Sequence, residues 1–263
     1  MSETQTKARP DPQFASTLAQ GIDILACFKA HESALGNKEF SERTGLSRST
    51  VARLTHTLLE LGYLRRAPDS RRYRPGMSLL AVSYPLLASL RIRQLAWPLM
   101  AQLAEHINGA VSLVIRDRRQ MVYVETVRMN EELHTYPDIG ASLPMLSTAA
   151  GKAWLCRASS HDRNVVLNQI RVSEPAYYAQ HIESLDKAAG DLEKKGYCGN
   201  NAQWRPDAYG FAVPMHKPIN SNLFVFNCGV PASDGPFIER ESDIAHKLVK
   251  LVRGVEEILG LRN

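Results

Sequence analysis

Apolar residues near the start of the chain recur at the spacing of one helix face. Within residues 16–30 the intervals are four, three and three, and the residues are Leu18, Ile22, Leu25 and Phe28. Ser16 is a candidate N-cap for this amphipathic helix. A second, shorter helix is predicted over residues 37–44, because Gly45 lacks a Cβ and suits the left-handed conformation in which helices often end.

A third helix is predicted to begin after Ser47, a favourable N-cap residue, and to end at Gly62. Its apolar positions share one side of a helical wheel and are Val51, Leu54, Leu58 and Leu61. The opposite side is polar and comprises Ser49, Arg53, His56 and Glu60, with Arg48 and Thr50 on the flanks. This order of helices is typical of a helix-turn-helix unit, whose last helix enters the DNA major groove.

Two short strands are predicted next, over residues 63–66 and 72–74, around a turn formed by Pro68, Asp69 and Ser70. The arginines in and around this hairpin, or wing, are Arg65, Arg66, Arg71, Arg72 and Arg74. Arginines there would neutralise DNA phosphates, while the third helix would read bases. The alternative is a charged surface that is only solvated, but the glycine turn and the hairpin together favour DNA binding.

The distribution of charge supports this interpretation. The chain has 263 residues, with 32 Lys and Arg against 27 Asp and Glu, an excess of five. Residues 47–76 hold seven arginines against Glu60 and Asp69, which is also an excess of five. A concentrated excess attracts nucleic acid more strongly than the same charge spread over a surface. The residues predicted to contact DNA are Arg48, Ser49, Thr50, Arg53, His56, Arg65, Arg66, Arg71, Arg72 and Arg74.

The remaining two thirds of the chain mix helical and strand patterns, which indicates an α+β domain. Pro85 and Pro98 are expected at helix starts or kinks. The predicted helices span 78–90 and 91–108, and the predicted strands 111–115, 122–124, 208–216 and 222–230. A last helix is predicted after Pro236 and ends at Gly260; its apolar stripe is Ile244, Leu248, Leu251, Val255 and Ile258.

The segment LPMLSTAAGKAW, residues 143–154, carries the candidate chemistry of this half. Ser147 or Thr148 can cap a helix whose first turn, residues 149–151, is small and leaves its backbone N–H groups open. Such a helix N-terminus attracts anions, so a ligand carboxylate is the expected guest. The alternative is an ordinary capped helix packed closely on a sheet.

Composition and motifs weigh against other classes of protein. With 44% hydrophobic and 22% charged residues, the chain is typical of globular proteins, and residues 1–12 predict a flexible arm rather than a signal peptide. No apolar run has the length of a membrane-spanning helix. The cysteines are far apart, which predicts reduced thiols without zinc: Cys27, Cys156, Cys198 and Cys228.

An enzyme is the first rival function. His134, His216 and Cys228 could be imagined as a nucleophile and base, but no hydrolase, metalloprotease or nucleotide-binding motif accompanies them. The sequence therefore predicts no enzyme, no catalytic residue, no metal and no cofactor. A constitutive architectural DNA-binding protein is the second rival, and it would not need the large domain that follows the wing.

Six segments stand in a characteristic order over residues 14–260, and they are TGLSRSTVARLTHTLLELGYLRR, RRYRPGMSLL, IGASLPMLSTAAGKAWL, KKGYCGNN, AVPM and FVFNCGVP. On these segments the chain resembles the IclR family of bacterial transcriptional regulators. The resemblance implies an α+β fold with a winged helix-turn-helix domain, a linker helix and a GAF-like α/β effector-sensing and oligomerisation domain. The expected bounds are 14–76, 77–90 and 91–263.

The family's pocket positions fall here on Leu143, Ala149, Ala150, Asn200, Gly210, Asn227 and Gly229. Many members carry acidic residues after the G-Y turn and a serine pair on the penultimate strand, where this chain has asparagines and a glycine. These departures predict a roomier pocket with asparagine donors and an aromatic wall from Trp204, suited to an aromatic carboxylate. Trp204 as a core residue or an oligomer contact is the open alternative.

The sequence thus predicts a ligand-responsive regulator, a repressor or an activator of a catabolic operon. Its expected partners are double-stranded operator DNA, a small-molecule carboxylate and a second copy of the chain, with RNA polymerase as a further candidate and no membrane. Symmetric operators are read by symmetric proteins, so a homodimer or tetramer is expected, with the linker helix as its seam. The expected location is the bacterial cytoplasm, at the nucleoid.

Overall fold

A computed structural model describes residues 13–30, 32–68, 70–129 and 137–262. The chain divides into two compact units, residues 1–89 and 90–263. The predicted arm over residues 1–12, Asp69 of the wing turn and His134 lie outside the described residues. The bounds 14–76, 77–90 and 91–263 stay predictions.

The first unit has the predicted order of elements. Its helices are α1 (Ser16–Ala26), α2 (Asn37–Thr44), α3 (Arg48–Glu60) and α4 (Ser78–Ser89), and its strands are β1 (Leu64–Arg66) and β2 (Tyr73–Pro75). The two strands pair antiparallel, with Leu64 opposite Pro75. As predicted, α2 ends at Gly45 with φ 71°, and the Ser47 side chain caps α3 by accepting a hydrogen bond from the Thr50 N–H.

A small core holds the first unit together, and it is formed by one side of α1, α2, α3 and the two strands. Its fully or nearly buried members include Ile24, Phe40, Val51, Leu58, Leu64 and Tyr73. Phe28 packs edge-on against Phe40, with ring centroids 5.6 Å apart. Leu35 adds a short bridge to β2, because Leu35 and Tyr73 exchange backbone hydrogen bonds of 2.9 and 2.7 Å. The wing, residues 64–75, is therefore attached to the domain along its second strand.

Three details of the predicted helices are wrong. Helix α1 begins after Ala15 without a side-chain cap, so Ser16 is its first residue rather than its N-cap. Leu18 and Ile22 are 67% and 56% exposed, whereas Ile24 is the buried residue of α1. Leu61, assigned to the apolar side of α3, is 57% exposed. Periodicity identified which residues share a face but not which face meets the core.

Two glycines let the chain cross itself where the wing begins and ends. Gly62 has φ 74°, a left-handed conformation that ends α3. A Cβ on Gly76 would lie 2.0 Å from the Gly62 carbonyl oxygen, which no side chain could accommodate. The contact therefore requires glycine, and it places the start of α4 beside the end of α3.

The second unit is a six-stranded antiparallel sheet with helices on both faces. Its strands lie in the order β5-β4-β3-β8-β7-β6. Their bounds are β3 Ala110–Asp117, β4 Gln120–Arg128, β5 Ser142–Pro144, β6 Cys198–Asn201, β7 Ala208–Pro214 and β8 Phe224–Pro231. The helices are α5 Ile92–Ile107, α6 Ala149–Arg157, α7 Ser160–Ser173, α8 Pro175–His181, α9 Ser184–Lys195 and α10 Phe237–Ile258.

Alternation along the strands divides the apolar residues of this unit between two cores. On β8, Phe224 and Phe226 face the core under α5 and α10, whereas Val225 faces the core under α6. The predicted stripe of α10 is buried at four positions, but Ile258 is 56% exposed. The sheet thus has a scaffold side, covered by α5 and α10, and an α6 side.

Candidate nucleic-acid interface and ligand cavity

The N-terminus of α3 is fixed by a cluster of hydroxyl groups. The Ser47 Oγ accepts from the Thr50 N–H at 3.2 Å and lies 2.9 Å from both the Ser49 and Thr50 hydroxyls. Ser49 is exposed and Thr50 is half-buried. Two of the residues predicted to contact DNA are therefore pre-positioned by the helix cap.

Burial divides α3 into an inner and an outer side. Val51 and Thr55 are fully buried, and the Thr55 hydroxyl donates to the Val51 carbonyl at 2.9 Å. Arg48, Arg53 and His56 are exposed on the outer side. Within the described part of the chain, none of these three side chains has an ion-pair partner. This side of α3 therefore carries positive charge that the domain does not neutralise.

The wing extends the positive surface. Arg65, Arg66 and Arg71 are exposed, and the Arg66 guanidinium lies 4.9 Å from the centre of the Tyr73 ring. Arg74 is half-buried, and its Nε has no hydrogen-bond partner among the described residues. The cation–π contact of Arg66 holds one guanidinium against the wing without neutralising its charge.

Unlike the other wing arginines, Arg72 forms an ion pair and hydrogen bonds with described residues of its own domain. Its Nη2 lies 2.5 Å from a Glu39 carboxylate oxygen, and its Nε and Nη2 donate to the Ala34 carbonyl at 3.2 and 2.9 Å. Hydrogen bonds from the backbone of Glu39 itself and then from Arg72 lower the pKa of that carboxyl group. The predicted phosphate contact of Arg72 stays a prediction, but in this position the side chain fastens the wing to α2.

In the second unit, the N-terminus of α6 is capped by Thr148, one of the two predicted caps. Its hydroxyl accepts from the Gly151 N–H at 3.1 Å and donates to the Pro144 carbonyl at 2.7 Å. A Cβ on Gly151 would lie 2.2 Å from the Met145 carbonyl oxygen, so this glycine serves close packing. The N–H groups of Ala149 and Ala150 have no hydrogen-bond partner within the described residues. Close packing at Gly151 agrees with the alternative of an ordinary capped helix, and the anion site at Ala149 and Ala150 stays a prediction.

A cavity of about 60 Å³ lies against this helix end. All eight predicted ligand residues line it: Leu143, Ala149, Ala150, Asn200, Trp204, Gly210, Asn227 and Gly229. Trp204 also packs against apolar residues of the α6 core. The free space is narrow, in contrast to the roomier pocket that the sequence suggested.

Two polar residues that line the cavity, Tyr123 and Arg205, were not among the predicted ligand residues. Tyr123 lies on β4, and burial raises the pKa of its phenol to about 12, with the neighbouring Asn227 amide acting in the opposite direction. The phenol is therefore a neutral hydrogen-bond donor at neutral pH. Strand alternation with the apolar Val122 and Val124 could have identified it. Arg205, whose side chain is 25% exposed, pairs with Asp207 at 2.6 Å and brings a guanidinium to the lining.

The two asparagines of the cavity have different surroundings. Asn200 is 5% exposed; its Nδ2 donates to the Ser147 carbonyl at 2.6 Å, and its Oδ1 accepts from the Gln203 N–H at 3.0 Å. It therefore supports the wall. The Oδ1 of Asn227 is buried and has no hydrogen-bond partner among the described residues. An acceptor in that state is suited to a donor group on a ligand.

The residues considered for enzymatic or metal chemistry do not form a site among the described residues. Cys228 is fully buried, and burial raises the pKa of its thiol, whereas His216 is exposed and contacts Arg157. All four cysteines are free. Across residues 13–30, 32–68, 70–129 and 137–262, no three His, Cys, Asp or Glu side chains gather as metal ligands would. No helix in those same stretches is both long and apolar enough to cross a membrane.

Comparison with protein-family models gives two matches. The model of the IclR helix-turn-helix domain matches residues 17–68. The model of the bacterial transcriptional regulator IclR C-terminal domain matches residues 85–253. The first match includes α3 and the second includes the cavity.

Curated relatives and solved structures agree with these models. The HTH-type transcriptional regulator TsaQ1/TsaQ2 of Comamonas testosteroni is 31% identical over 243 residues, which cover 91% of this chain and 87% of the relative. The HTH-type transcriptional regulator XynR of Escherichia coli is 28% identical over 201 residues, 76% of this chain and 79% of the relative.

Among solved structures, an IclR family transcriptional regulator from Brucella abortus is 37% identical, with a TM-score of 0.79 over 97% of this chain and 96% of that one. An IclR homolog from Microbacterium hydrocarbonoxydans, solved in complex with 4-hydroxybenzoate, is 20% identical and shares the fold, with a TM-score of 0.72 over 94% and 100% of the chains. The fold, the matched models and these relatives show that the chain belongs to the IclR family of bacterial transcriptional regulators.

Proposed function

We propose that this IclR-family regulator binds operator DNA through α3 and the wing, and that a small organic acid in the α6 cavity changes its affinity for DNA. One observation carries the ligand half of the proposal. Two free N–H groups at a helix N-terminus, the neutral Tyr123 phenol and the Arg205 guanidinium converge on one cavity. Such a set of donors favours an anion over a neutral guest.

On the DNA side, the outer surface of α3 supplies the groups that read bases. Arg48, Arg53 and His56 are exposed there without ion-pair partners in the described part of the chain. Arg65, Arg66, Arg71 and Arg74 of the wing supply charge for phosphates, which attracts any sequence equally. Arg72 positions the wing. The base contacts of α3 then determine which DNA sequence is preferred, and the phosphate contacts of the wing raise the affinity for DNA of any sequence.

In the cavity, the acid group of the ligand would accept from the N–H groups of Ala149 and Ala150. An aromatic ring would pack against Trp204, and a hydroxyl or other donor on the ring would satisfy the Oδ1 of Asn227. An aromatic acid with a hydroxyl group has all three features. The ligand of the Microbacterium homolog, 4-hydroxybenzoate, is an acid of this kind.

The regulator is proposed to act as a homodimer through its first unit. No residue of α4 is buried, and its large apolar side chains Leu80, Tyr84 and Leu86 are each about two thirds exposed. Leu18 and Ile22, four residues apart on α1, form a second exposed apolar surface, and Phe14, two residues before the helix, is exposed as well. Apolar surface of this extent marks an interaction site. A two-fold pairing of such faces would present two copies of α3 to a symmetric operator.

The proposal is tested with the full chain and the DNA upstream of its own gene. Fluorescence anisotropy measures the affinity for that DNA with 4-hydroxybenzoate and with 4-hydroxybenzamide, which lacks the acid group. We expect the acid to change the affinity and to raise the melting temperature, and the amide to do neither. If a panel of aromatic and aliphatic acids changes neither quantity, the cavity is not an effector site and a constitutive DNA-binding protein is favoured.

A further inference from the structure

A second cavity, of about 230 Å³, lies in the same unit between α6, α9, β6 and the start of α10. It shares no lining residue with the first cavity. Its polar lining includes Lys152, Ser184, Lys187, Asn201 and Gln203. The second cavity is therefore a separate compartment, although Lys152 belongs to the helix whose N-terminus faces the first cavity.

Lys152 is the unusual residue of the second cavity. It is only 4% exposed, and its ammonium donates to the Gln203 side-chain oxygen at 3.0 Å. Among the described residues, no carboxylate lies within ion-pair distance of it. Burial lowers the pKa of Lys152, and the nearby Lys187 acts in the same direction. A buried ammonium without a counter-charge is costly, because neutral amide dipoles replace only part of its hydration.

The acidic residues of the lining are already engaged. Asp191 and Glu241 each lie 3.3 Å from the ammonium of Lys195, so both carboxylates pair with this one lysine. Glu241 also accepts from the Tyr197 hydroxyl at 2.9 Å. Lys187 is exposed and has no ion-pair partner in the described part of the chain. Lys152 and Lys187 thus have no carboxylate partner among the described residues, and the three lysines of the lining outnumber its two carboxylates by one.

We propose that the second cavity binds a phosphate group, held between Lys152 and Lys187. A phosphate near neutral pH carries close to two negative charges and several strong acceptor oxygens, which matches two lysines better than a carboxylate would. The side-chain amides of Asn201 and Gln203 supply further donors at the rim. The group can come from inorganic phosphate or from a small phosphorylated metabolite, and the two sources are distinguished by titration.

The direct test is isothermal titration calorimetry on the full chain at constant ionic strength. Sodium phosphate, glucose 6-phosphate and sodium acetate are titrated separately. We expect saturable binding of one or both phosphate compounds and much weaker binding of acetate. Binding of inorganic phosphate identifies the free ion, and binding of the sugar phosphate alone identifies a phosphorylated metabolite. The proposal fails if neither phosphate compound binds, or if acetate binds as tightly.

Variants assign the binding to the cavity. Lys152→Met keeps the length of the side chain and removes a buried charge, a change that often leaves stability intact, and we expect it to weaken phosphate binding by about tenfold. Lys187→Met, at an exposed position, should weaken it by about threefold. Lys250→Met, an exposed lysine on α10 outside the cavity, is the matched control and should bind like the wild type.

Two results from the variants would overturn the assignment. Wild-type phosphate affinity in Lys152→Met would remove the ligand from this cavity. A loss in Lys250→Met equal to that in Lys187→Met would show that general surface charge is responsible. Because Lys152 and Lys187 do not line the first cavity and the test uses no DNA, the effect of these variants is independent of the proposed effector site.

Discussion

The Arg72 guanidinium lies 2.5 Å from the Glu39 carboxylate and so ties the wing to α2. Together with the backbone bridge between Leu35 and Tyr73, this pair fixes the wing relative to the helices. An arginine within a basic cluster thus has a role within the fold, and its neighbours on the wing remain available for DNA.

Replacing Arg72 by alanine should therefore lower the stability of the first unit. The pair is partly exposed, so we expect a loss of about 0.5–1 kcal/mol, seen as a drop of a few degrees in melting temperature. DNA binding should weaken for all sequences because the wing is no longer held in place. Arg71→Ala is the matched control and should melt like the wild type; equal melting temperatures for the two variants would contradict the structural role.

Arg53 and Arg71 should differ in what they contribute to DNA binding. Arg53→Ala should relax base preference at one operator position, at a cost of about 1–3 kcal/mol. Arg71→Ala should weaken binding to every sequence and reduce the salt dependence by about one phosphate contact. Anisotropy titrations on operator and scrambled DNA at two salt concentrations separate these effects. Identical behaviour of the two variants would refute the division between base and phosphate contacts.

Ala149→Pro tests the free N–H groups of the cavity. Thr148 has φ −114° and ψ 153°, an extended conformation that proline tolerates in the preceding residue, and the first helical position accepts proline. The variant should therefore fold and bind DNA but lose on the order of tenfold in affinity for 4-hydroxybenzoate. Ala149→Gly keeps the N–H and serves as the control. Calorimetry measures both affinities; an unchanged value in the proline variant argues against this anion site.

Acid should weaken the first unit through Glu32. A side-chain hydrogen bond from Arg43 lowers the pKa of Glu32 to about 2, and the two groups lie 2.5 Å apart. A depressed pKa means that the contribution to stability is complete above pH 4.5 and is lost as the pH falls toward 2. Glu32→Gln should therefore be less stable than the wild type at pH 6 and nearly equal to it at pH 2.

Urea unfolding at several pH values measures this difference. Arg43→Met should give the same pH-dependent loss plus a constant one, because Arg43 also donates to the Cys27 carbonyl at 2.7 Å. The double variant should therefore lose little more than Arg43→Met alone. A gap between wild type and Glu32→Gln that stays constant down to pH 2 would exclude the ion pair as its cause.

Charge on α4 should disrupt the proposed homodimer. Leu80→Lys and Leu86→Lys each place an ammonium at a position that is 64% exposed, so the fold of the unit should tolerate them. Both should shift the protein toward the monomer in analytical ultracentrifugation. Val172→Lys, at a 79% exposed position on α7, should leave the association unchanged. A wild type that is monomeric at micromolar concentration would refute the dimer itself.

Much of the fold could be predicted because local rules act at single residues. Gly45 and Ser47 mark helix ends through backbone geometry and one hydrogen bond, and both function as expected. Partners distant in sequence could not be predicted in this way. Leu18 and Ile22 have helical spacing, yet the core is reached by Ile24, because the contacts of α1 depend on where α3 lies.

In the candidate site, too, residues that belong to a sequence pattern could be predicted, whereas contacts between residues distant in sequence could not. The seven residues placed by family resemblance line one cavity together with Trp204, since that pattern reflects a shared fold. Tyr123 and Arg205 belong to no recognised motif, and they reach the cavity through strand pairing and a loop. The engagement of Arg72 was invisible for a similar reason, because its partner Glu39 is 33 residues away in the sequence.

Asn200 joins the two cavities of the second unit. Asn200 itself lines the first cavity, where its Nδ2 donates to the Ser147 carbonyl beside the α6 cap, and its Oδ1 accepts from the backbone of Gln203, which binds Lys152 in the second cavity. A substitution here during evolution would alter both compartments at once. Selection for a new guest in one cavity would therefore have to act through other positions, such as Trp204 or Asn227, if the neighbouring compartment is to keep its properties.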